Sequence, residues 1–335
     1  MLRAGGLVAF PTETVYGLGA DAEDVQAVER IFAAKGRPRT HPLIAHIGSA
    51  DQLDHWAADV PESARLLAER FWPGPLTLVL RRSARVPLAV TGGIETVALR
   101  VPDHPLALAL LSAFAGAVAA PSANRFGSVS PTTADHVREG LGTAVDFVLD
   151  GGPCAVGVES TIVDVTSEQP AILRPGGVSR EALEAVLRHS VPMRSSGSIR
   201  APGQHSSHYA PRAKVLLVEP NEVVSESRRL QAAGHRVGAL VPPGVEYSPS
   251  ASHVVLCVPG SMVAYAQRIY TFLLEFDRQG CEVIVASLPA QDGLGLAIAD
   301  RLRRAAGGTS QQRPDALGST SSTTVIEGIG SEFSS

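Results

Sequence analysis

The stretch Leu7-Val-Ala-Phe-Pro-Thr-Glu-Thr-Val-Tyr-Gly-Leu-Gly19 decides the fold of this chain. Its first four residues are apolar, which predicts a short buried strand over 7–10 that ends at Pro11. Residues 12–16 then crowd hydroxyl, carboxylate and phenol groups at the carboxyl end of that strand, where small ligands bind in open α/β sheets. Such a loop is either an ordinary connection or a pocket wall, and we favour the pocket wall.

Length and composition narrow the class of protein. With 335 residues, 44% of them hydrophobic, the chain is long enough for two globular domains. A net charge of -4 argues against nucleic-acid binding through bulk charge, although a local basic patch stays open. Cys154, Cys257 and Cys281 are widely spaced and form no C-x-x-C pair, which is typical of reduced thiols. Since no apolar run approaches the roughly 20 residues of a membrane span, we expect a cytoplasmic protein without a membrane segment.

Strand and helix patterns alternate from residue 7 to residue 187, which predicts an α/β domain with one cleft. Pro121-Ser-Ala-Asn124 follows a predicted strand and forms a second polar strand end. Arg100 lies inside the apolar strand 97–101, and a buried arginine requires an anionic partner. His46 lies in the apolar strand 43–47, where a histidine is more often a core residue than a ligand. Ser49-Ala-Asp-Gln52 matches a capping box that opens a helix through Trp56.

The residues between Glu184 and Glu219 include no acidic side chain but five basic ones. This Ser-, Gly- and Pro-rich span is either a tether or a segment lying over something anionic, and both interpretations remain open. A second alternation of short strands and helices over 215–306 predicts a mostly parallel sheet. Because that region concentrates no reactive residues, we interpret it as regulatory or architectural.

The predicted cleft offers cations beside hydroxyl groups. The motifs of phosphate-loop, dinucleotide, zinc-peptidase and serine-hydrolase sites are absent from the sequence. What remains suits a polyphosphate and a small carboxylate, because arginine binds both with two parallel hydrogen bonds. No activated nucleophile is evident, so we expect direct transfer between two bound substrates. The cations are Lys35, Arg37, Arg100 and Arg174, and the hydroxyls are those of Thr14, Ser122, Ser130 and Ser160.

Seven motifs in order resemble the long form of the threonylcarbamoyl-AMP synthase family. They are Pro11-Thr-Glu-Thr-Val-Tyr-Gly-Leu-Gly19, Lys35-Gly-Arg-Pro38 with Pro42-Leu-Ile-Ala-His46, Trp72-Pro-Gly-Pro-Leu-Thr77, Arg100-Val-Pro, Ala120-Pro-Ser-Ala-Asn124, Glu159-Ser-Thr-Ile162 and Arg174-Pro-Gly. The resemblance implies a YrdC-like twisted mixed sheet over 1–190, with helices enclosing a concave cleft. His208-Tyr-Ala-Pro211 resembles the family's linker, which implies a lid over 191–213. A smaller Rossmann-like parallel α/β domain over 214–308 and a disordered tail over 309–335 complete the expected organisation.

The activity implied by the resemblance is that of a nucleotidyltransferase. Such an enzyme makes threonylcarbamoyl-AMP and pyrophosphate from L-threonine, bicarbonate or carbon dioxide, and ATP. The product serves the modification of tRNA next to the anticodon, so the implied partner is a downstream tRNA threonylcarbamoyltransferase, and a contact with RNA is open. Mg²⁺ is expected on the triphosphate, with no metal site built from protein side chains.

The resemblance also assigns residues. Lys35 and Arg37 are implied to be catalytic, and His41 stands where many relatives have Asn. The implied threonine-binding residues are Thr14, His46, Arg100, Ala120 and Ser160. The implied ATP-binding residues are Arg37, His41, Thr96, Ser122, Asn124, Ser130, Arg174 and Tyr209.

Two other functions remain in view. A carbamoyl-adenylate-forming carbamoyltransferase also contains a YrdC-like domain, but such proteins are longer and carry further domains. An RNA-binding factor would use the basic concave face of that domain, yet the chain shows no aromatic stacking set beside basic residues. Both are less favoured than the synthase.

Overall fold

A computed structural model describes residues 1–194, 209–243, 245 and 253–307. Most of the predicted lid, residues 195–208, and the predicted tail over 309–335 lie outside the described residues. In the described part of the chain, no helix combines the length and the apolar character that crossing a membrane requires.

The first sheet is mixed, as the resemblance implied. Its strands are β1 Val8–Phe10, β2 Gly17–Asp21, β3 Ile44–His46, β4 Ala57–Asp59, β5 Leu76–Arg82, β6 Thr96–Arg100, β7 Val118–Ala119, β8 Phe147–Val148, β9 Thr161–Asp164 and β10 Ala171–Arg174. They run in the order β10-β9-β5-β6-β3-β7-β2-β1-β8, with β4 paired to β5. Strand pairs β1/β8, β3/β6 and β5/β9 are parallel, and the other pairs are antiparallel.

Helices packed on this sheet bury its largest apolar cluster, in which Ile31, Leu67, Leu78 and Leu99 are fully buried. Several helices begin at the caps that the sequence offers: the Ser179 hydroxyl accepts a hydrogen bond from the Ala182 amide. The helices are α1 Val25–Lys35, α2 Leu53–Trp56, α3 Glu62–Phe71, α4 Leu88–Thr91, α5 Pro105–Phe114, α6 Ala134–Leu141 and α7 Arg180–Leu187.

Two local features differ from the sequence analysis. The predicted capping box is wrong, because Ser49 makes no side-chain cap bond and Gln52 Oε1 instead accepts from the Gly48 amide at 2.8 Å. A 3₁₀ turn at Ala50–Gln52 therefore precedes the single turn of α2. Strand β2 was not predicted, since glycine is rare in strands. Here Gly19 is needed, because a Cβ on it would lie 2.7 Å from Val118 Cγ1.

The second sheet is fully parallel, as predicted, in the order β11-β14-β12-β13. Its strands are β11 Lys214–Leu217, β12 Val237–Val241, β13 His253–Cys257 and β14 Val283–Ala286. Its helices are α8 Val223–Ala232, α9 Met262–Arg278 and α10 Gly293–Ala305.

The two sheets share an apolar interface. One buried cluster joins Val15, Val129 and Val158 of the first sheet's loops to Tyr265 and Tyr270 of α9. Around this interface, Arg278 of α9 forms an exposed ion pair of 2.8 Å with Glu139 of α6. The second sheet is therefore docked firmly against the loops that follow strands of the first.

The cap of α1 offers a test of this local chemistry. The Asp24 carboxylate accepts hydrogen bonds from the Gln26 and Ala27 amides, whereas Ser49 caps nothing with its side chain. We predict that Asp24→Ala lowers the free energy of unfolding by about 1 kcal/mol. Ser49→Ala should change it by less than about 0.5 kcal/mol. Urea titrations followed by circular dichroism check both, and equal losses in the two variants would contradict the assignment of the cap.

Candidate active site

A cavity opens where β1 and β7 end. Two polar loops form its wall, and backbone hydrogen bonds hold them together: Leu18 N donates to Pro121 O and Ala123 N donates to Tyr16 O, both at 2.8 Å. The two polar strand ends singled out in the sequence therefore meet in one site. The lining residues are Thr12, Thr14, Val15, Gly17, Arg37, Ile44, His46, Arg100, Ala120, Pro121, Ser122, Glu159, Ser160, Arg174 and Tyr209.

A hydroxyl-centred turn orients the first loop. Thr12 Oγ1 donates to Val15 O at 2.6 Å, accepts from the Thr14 amide at 3.2 Å and lies 2.8 Å from Thr14 Oγ1. Threonine hydroxyls commonly stabilise such turns by bonding to nearby backbone groups. The turn fixes the Thr14 hydroxyl at the cavity wall.

Arg100 has the anionic partner that its burial requires. Its Nη2 lies 2.8 Å from Glu13 Oε1, and both side chains are almost fully buried. The two groups form an ion pair but not a hydrogen bond, since in the described part of the chain neither Glu13 oxygen accepts one. Arg100 Nε also donates to Gly74 O at 3.2 Å. A carboxylate ligand would therefore meet a guanidinium that is already oriented.

His46 lies beside Arg100, because the two residues are register partners in the parallel pair β3/β6. Burial, and after it the charge of Arg100, lowers the pKa of His46 to about 3. The imidazole is therefore neutral at physiological pH. It lines the cavity as a hydrogen-bonding group without adding charge.

Lys35, the last residue of α1, lies directly behind the second loop. Its Nζ donates to Ser122 O at 2.6 Å, to Asn124 O at 2.5 Å and to Asn124 Oδ1 at 3.3 Å. Burial, and then the charge of Arg37, lowers the pKa of Lys35 well below its usual range. An anion in the cavity would offset that loss and favour the charged form.

Arg37 and Arg174 bring two further guanidinium groups to the wall. Arg37 donates to Pro42 O at 3.0 Å, and burial lowers its pKa to about 10, so it stays protonated at neutral pH. Arg174 Nη2 donates to Ser160 O at 2.9 Å and to Ser160 Oγ at 3.2 Å. Ser160 Oγ lies 2.8 Å from Thr77 Oγ1. The serine hydroxyl is thus fixed from both sides.

Glu159 is a lining carboxylate that the second domain neutralises. Its Oε2 lies 2.6 Å from Nε of Arg301 in α10, and its Oε1 accepts from Ser130 Oγ at 2.6 Å. Burial alone would raise the pKa of Glu159, but the charges of Arg301 and Arg174 and the bond from Ser130 lower it to about 2. The carboxylate is therefore ionised at any physiological pH.

The cavity wall contains nine of the predicted site residues: Thr14, Arg37, His46, Arg100, Ala120, Ser122, Ser160, Arg174 and Tyr209. The other five lie behind or beside it. Lys35 and Asn124 support Ser122, Ser130 binds Glu159, and the His41 ring packs 5.3 Å from that of Phe126. Thr96 lies at the start of β6, about 13 Å along the strand from Arg100 at ~3.3 Å per residue. The roles assigned to all fourteen residues stay predictions.

The sequence analysis did not assign Glu13, Glu159, Tyr270 or Arg301. Glu13 and Glu159 fell within quoted motifs, and Glu13 within the predicted pocket wall, but neither was given a role. For Arg301 a signal existed, because it follows Ala297 and Ile298 at helical spacing on an apolar helix face. A buried arginine requires an anionic partner, and this rule applies to Arg301 as it does to Arg100.

Comparison with known proteins identifies the family. The profile of a family described as Telomere recombination matches residues 1–176, and that described as Threonylcarbamoyl-AMP synthase, C-terminal domain, matches residues 178–307. A protein of Pyrococcus abyssi named threonylcarbamoyl-AMP synthase is 44% identical to this chain, over 91% of this chain and 92% of the relative. A protein of Bacillus subtilis with the same name is 43% identical, over 92% of this chain and 91% of the relative. The chain belongs to the threonylcarbamoyl-AMP synthase family.

The family's fold is also shared. A crystal structure of P. abyssi Sua5 complexed with L-threonine superposes with a TM-score of 0.86, at 43% identity, over 91% of this chain and 92% of that one. The resemblance inferred from the seven motifs and the predicted fold class are thereby confirmed.

Because Glu159 is ionised, we predict that the stability of the natural chain depends on pH in a way that the stability of Glu159→Gln does not. The folded pKa of about 2 is below the usual value of 4.5, so the ionised carboxylate stabilises the fold above pH ~4.5. That contribution should be lost as the pH falls from about 4.5 towards 2. We therefore expect the difference in unfolding free energy between the natural chain and Glu159→Gln to shrink over that range. A difference that does not change with pH would contradict the predicted ionisation.

Gly176 tests how tightly the family's Arg174-Pro-Gly motif is packed. A Cβ there would lie 2.3 Å from the Glu159 carbonyl oxygen and 2.3 Å from the Ser160 carbonyl carbon, both rigid backbone atoms. We expect Gly176→Ala to cost about 1–3 kcal/mol of stability. The matched control is Gly140→Ala in α6, where a Cβ meets open space and should be neutral or stabilising by up to about 1 kcal/mol. Thermal unfolding distinguishes the two, and a neutral Gly176→Ala would show that the backbone can yield.

Proposed function

We propose that this chain makes threonylcarbamoyl-AMP and pyrophosphate from L-threonine, carbon dioxide or bicarbonate, and ATP. The observation that carries the proposal is the presence of three guanidinium groups, those of Arg37, Arg100 and Arg174, around one cavity. Two anionic substrates bound side by side need such a surplus of positive charge. The P. abyssi relative, described as complexed with L-threonine, supports the identity of one of them.

Arg100 is the proposed carboxylate clamp for threonine. It is oriented by Glu13 and by Gly74 O, which leaves its guanidinium fixed before the ligand arrives. Thr14 and Ser160 offer hydroxyls, and neutral His46 offers a ring nitrogen without repelling the substrate's ammonium group. This set would recognise an amino acid that carries both a carboxylate and a hydroxyl.

The proposed chemistry has two steps. The neutral amine of threonine adds to carbon dioxide, a C–N bond forms and the nitrogen loses a proton, giving a carbamate. With bicarbonate in place of carbon dioxide, the same C–N bond forms as water leaves, and no net proton is released. A carbamate oxygen then attacks the α-phosphorus of ATP, the bond from that phosphorus to the bridging oxygen breaks, and pyrophosphate leaves. Both steps depend on holding the reactants in line in one cavity.

Arg37 and Arg174 are proposed to bind the phosphates, with Lys35 behind them. Negative charge moves to the leaving pyrophosphate, and fixed cations in a buried site stabilise such charge more strongly than water-exposed ones do. Lys35 is bound by carbonyl and amide oxygens, so a phosphate would add a charge partner. This is the basis for proposing Lys35 and Arg37 as the catalytic pair.

Mg²⁺ is proposed to enter with the triphosphate. Among the described residues, no group of three or more His, Cys, Asp or Glu side chains forms a metal cage. The lining carboxylate Glu159 is already bound to Arg301. Mg²⁺ typically uses substrate phosphates and water as ligands, and bound there it would neutralise phosphate charge. The product, a reactive mixed anhydride with AMP, would pass to a transferase that modifies tRNA.

Pyrophosphate release tests the proposal. We expect release from ATP and Mg²⁺ to require both L-threonine and bicarbonate, and Arg100→Ala to raise the KM for threonine by roughly a hundredfold. Arg65→Ala, which breaks an exposed ion pair with Asp54, should behave like the natural chain. Release with carbamoyl phosphate in place of threonine would support a carbamoyl-adenylate enzyme instead. No release under any condition would contradict both.

A further inference from the structure

Arg301 connects the second domain to the candidate active site. It lies in α10 and is 0% exposed, the largest of the fully buried side chains in the described part of the chain. Its Nε lies 2.6 Å from Glu159 Oε2, and its Nη2 donates to Pro175 O at 3.0 Å. Both partners are next to residues of the cavity wall, namely Ser160 and Arg174.

Tyr270 and Tyr209 complete the same network. Tyr270 Oη lies 2.7 Å from Glu159 Oε2 and 2.9 Å from Oε1 and donates to this carboxylate. The ring of Tyr209, which lines the cavity, stacks on that of Tyr270 with centroids 5.8 Å apart. The guanidinium carbon of Arg301 lies 5.0 Å from the centroid of Tyr209. One arginine of the second domain therefore contacts Glu159 and Tyr209 of the cavity wall, and Pro175 beside it.

Stability alone does not account for this arrangement. Burying a carboxylate and a guanidinium costs solvation, and apolar residues of similar volume often stabilise a protein equally well at such positions. The apolar cluster that already joins the two domains supplies adhesion without charge. The charged pair instead fixes the orientation of the Glu159 carboxylate, because its two oxygens are held by Arg301, Tyr270 and Ser130.

We propose that Arg301, which the second domain supplies, is a positioning residue of the active site. It acts through Glu159 to hold the nucleotide-binding wall, which is the part of the cavity wall that includes Arg174 and Tyr209. The inference rests on the proposed function. Arg301 fixes the Glu159 carboxylate, which orients the Ser130 hydroxyl, and it fixes the Pro175 carbonyl next to Arg174. The second domain, interpreted from sequence as regulatory or architectural, is then part of the catalytic apparatus.

The experiment compares Arg301→Met with Arg278→Met in the full chain. Both substitutions remove an ion pair between the domains, but Arg278 pairs with exposed Glu139, and neither of these two residues lines the cavity. We expect Arg301→Met to weaken MgATP binding, measured by titration calorimetry, and to raise its KM by about tenfold to a hundredfold. Arg278→Met should change both by less than about twofold. Equal losses in the two variants would overturn the proposal in favour of general domain docking, and wild-type affinity in Arg301→Met would overturn it outright.

A double-mutant cycle tests whether Arg301 acts through Glu159. If it does, the double variant Arg301→Met with Glu159→Gln should lose no more MgATP affinity than the more damaging single variant. If the two residues act independently, the fold-losses of the single variants should multiply. Partial recovery is expected in Arg301→Lys, which restores the charge. Tyr270→Phe keeps all charges, and should weaken MgATP binding in the same direction by a smaller factor even if Arg301→Met does not fold. Unchanged binding in Tyr270→Phe together with multiplying effects in the cycle would reject the coupling.

The outcomes for the natural chain keep the two proposals apart. If it binds MgATP but releases no pyrophosphate with threonine and bicarbonate, the proposed function fails, and the calorimetric comparison of the variants still decides the role of Arg301. If it does not bind MgATP at all, both proposals are overturned.

Discussion

The ion pair between Glu159 and Arg301 is the constraint on which the rest of the structure depends. A carboxylate in the wall of an anion-binding cavity would repel its ligands and would itself be costly to bury. The guanidinium of Arg301 reduces both difficulties, because it pairs with Glu159 without itself lining the cavity. The two domains must therefore meet before the first domain's cavity has its final charge.

The same balance of charges explains the layout of the cavity. Arg100 is compensated by Glu13 and Glu159 by Arg301, so these four buried charges form two pairs of opposite sign. Lys35 and Arg37 are instead bound by carbonyl oxygens, which stabilise a cation without neutralising it. The wall is thus net positive on the side formed by α1 and the loop after it. Anionic substrates would complete the balance there, which couples their binding to the pKa of Lys35.

How far the sequence predicts this protein depends on whether the signal is local. Apolar runs such as 7–10 and 43–47 lie within a few residues and were read correctly as strands. Strand β2 was not, because its glycines are explained only by the nearness of Phe10 and Val118. The ordered motifs identified the family. They did not indicate which residues line the cavity and which, like Lys35, support it from behind.

The second domain shows why searching for clusters of reactive residues misses part of a site. The sequence of residues 214–307 shows no concentration of nucleophiles. Among the described residues of this range, the cation paired with a lining carboxylate is Arg301, on an otherwise apolar helix face. A charged residue in an apolar pattern is costly unless something distant compensates it, so the pattern itself points to a partner in another element. Applied equally to Arg100 and Arg301, this reasoning identifies two buried carboxylates, Glu13 and Glu159. The cavity wall itself lies outside the second domain, which contacts it through Arg301 and Tyr270 at Glu159.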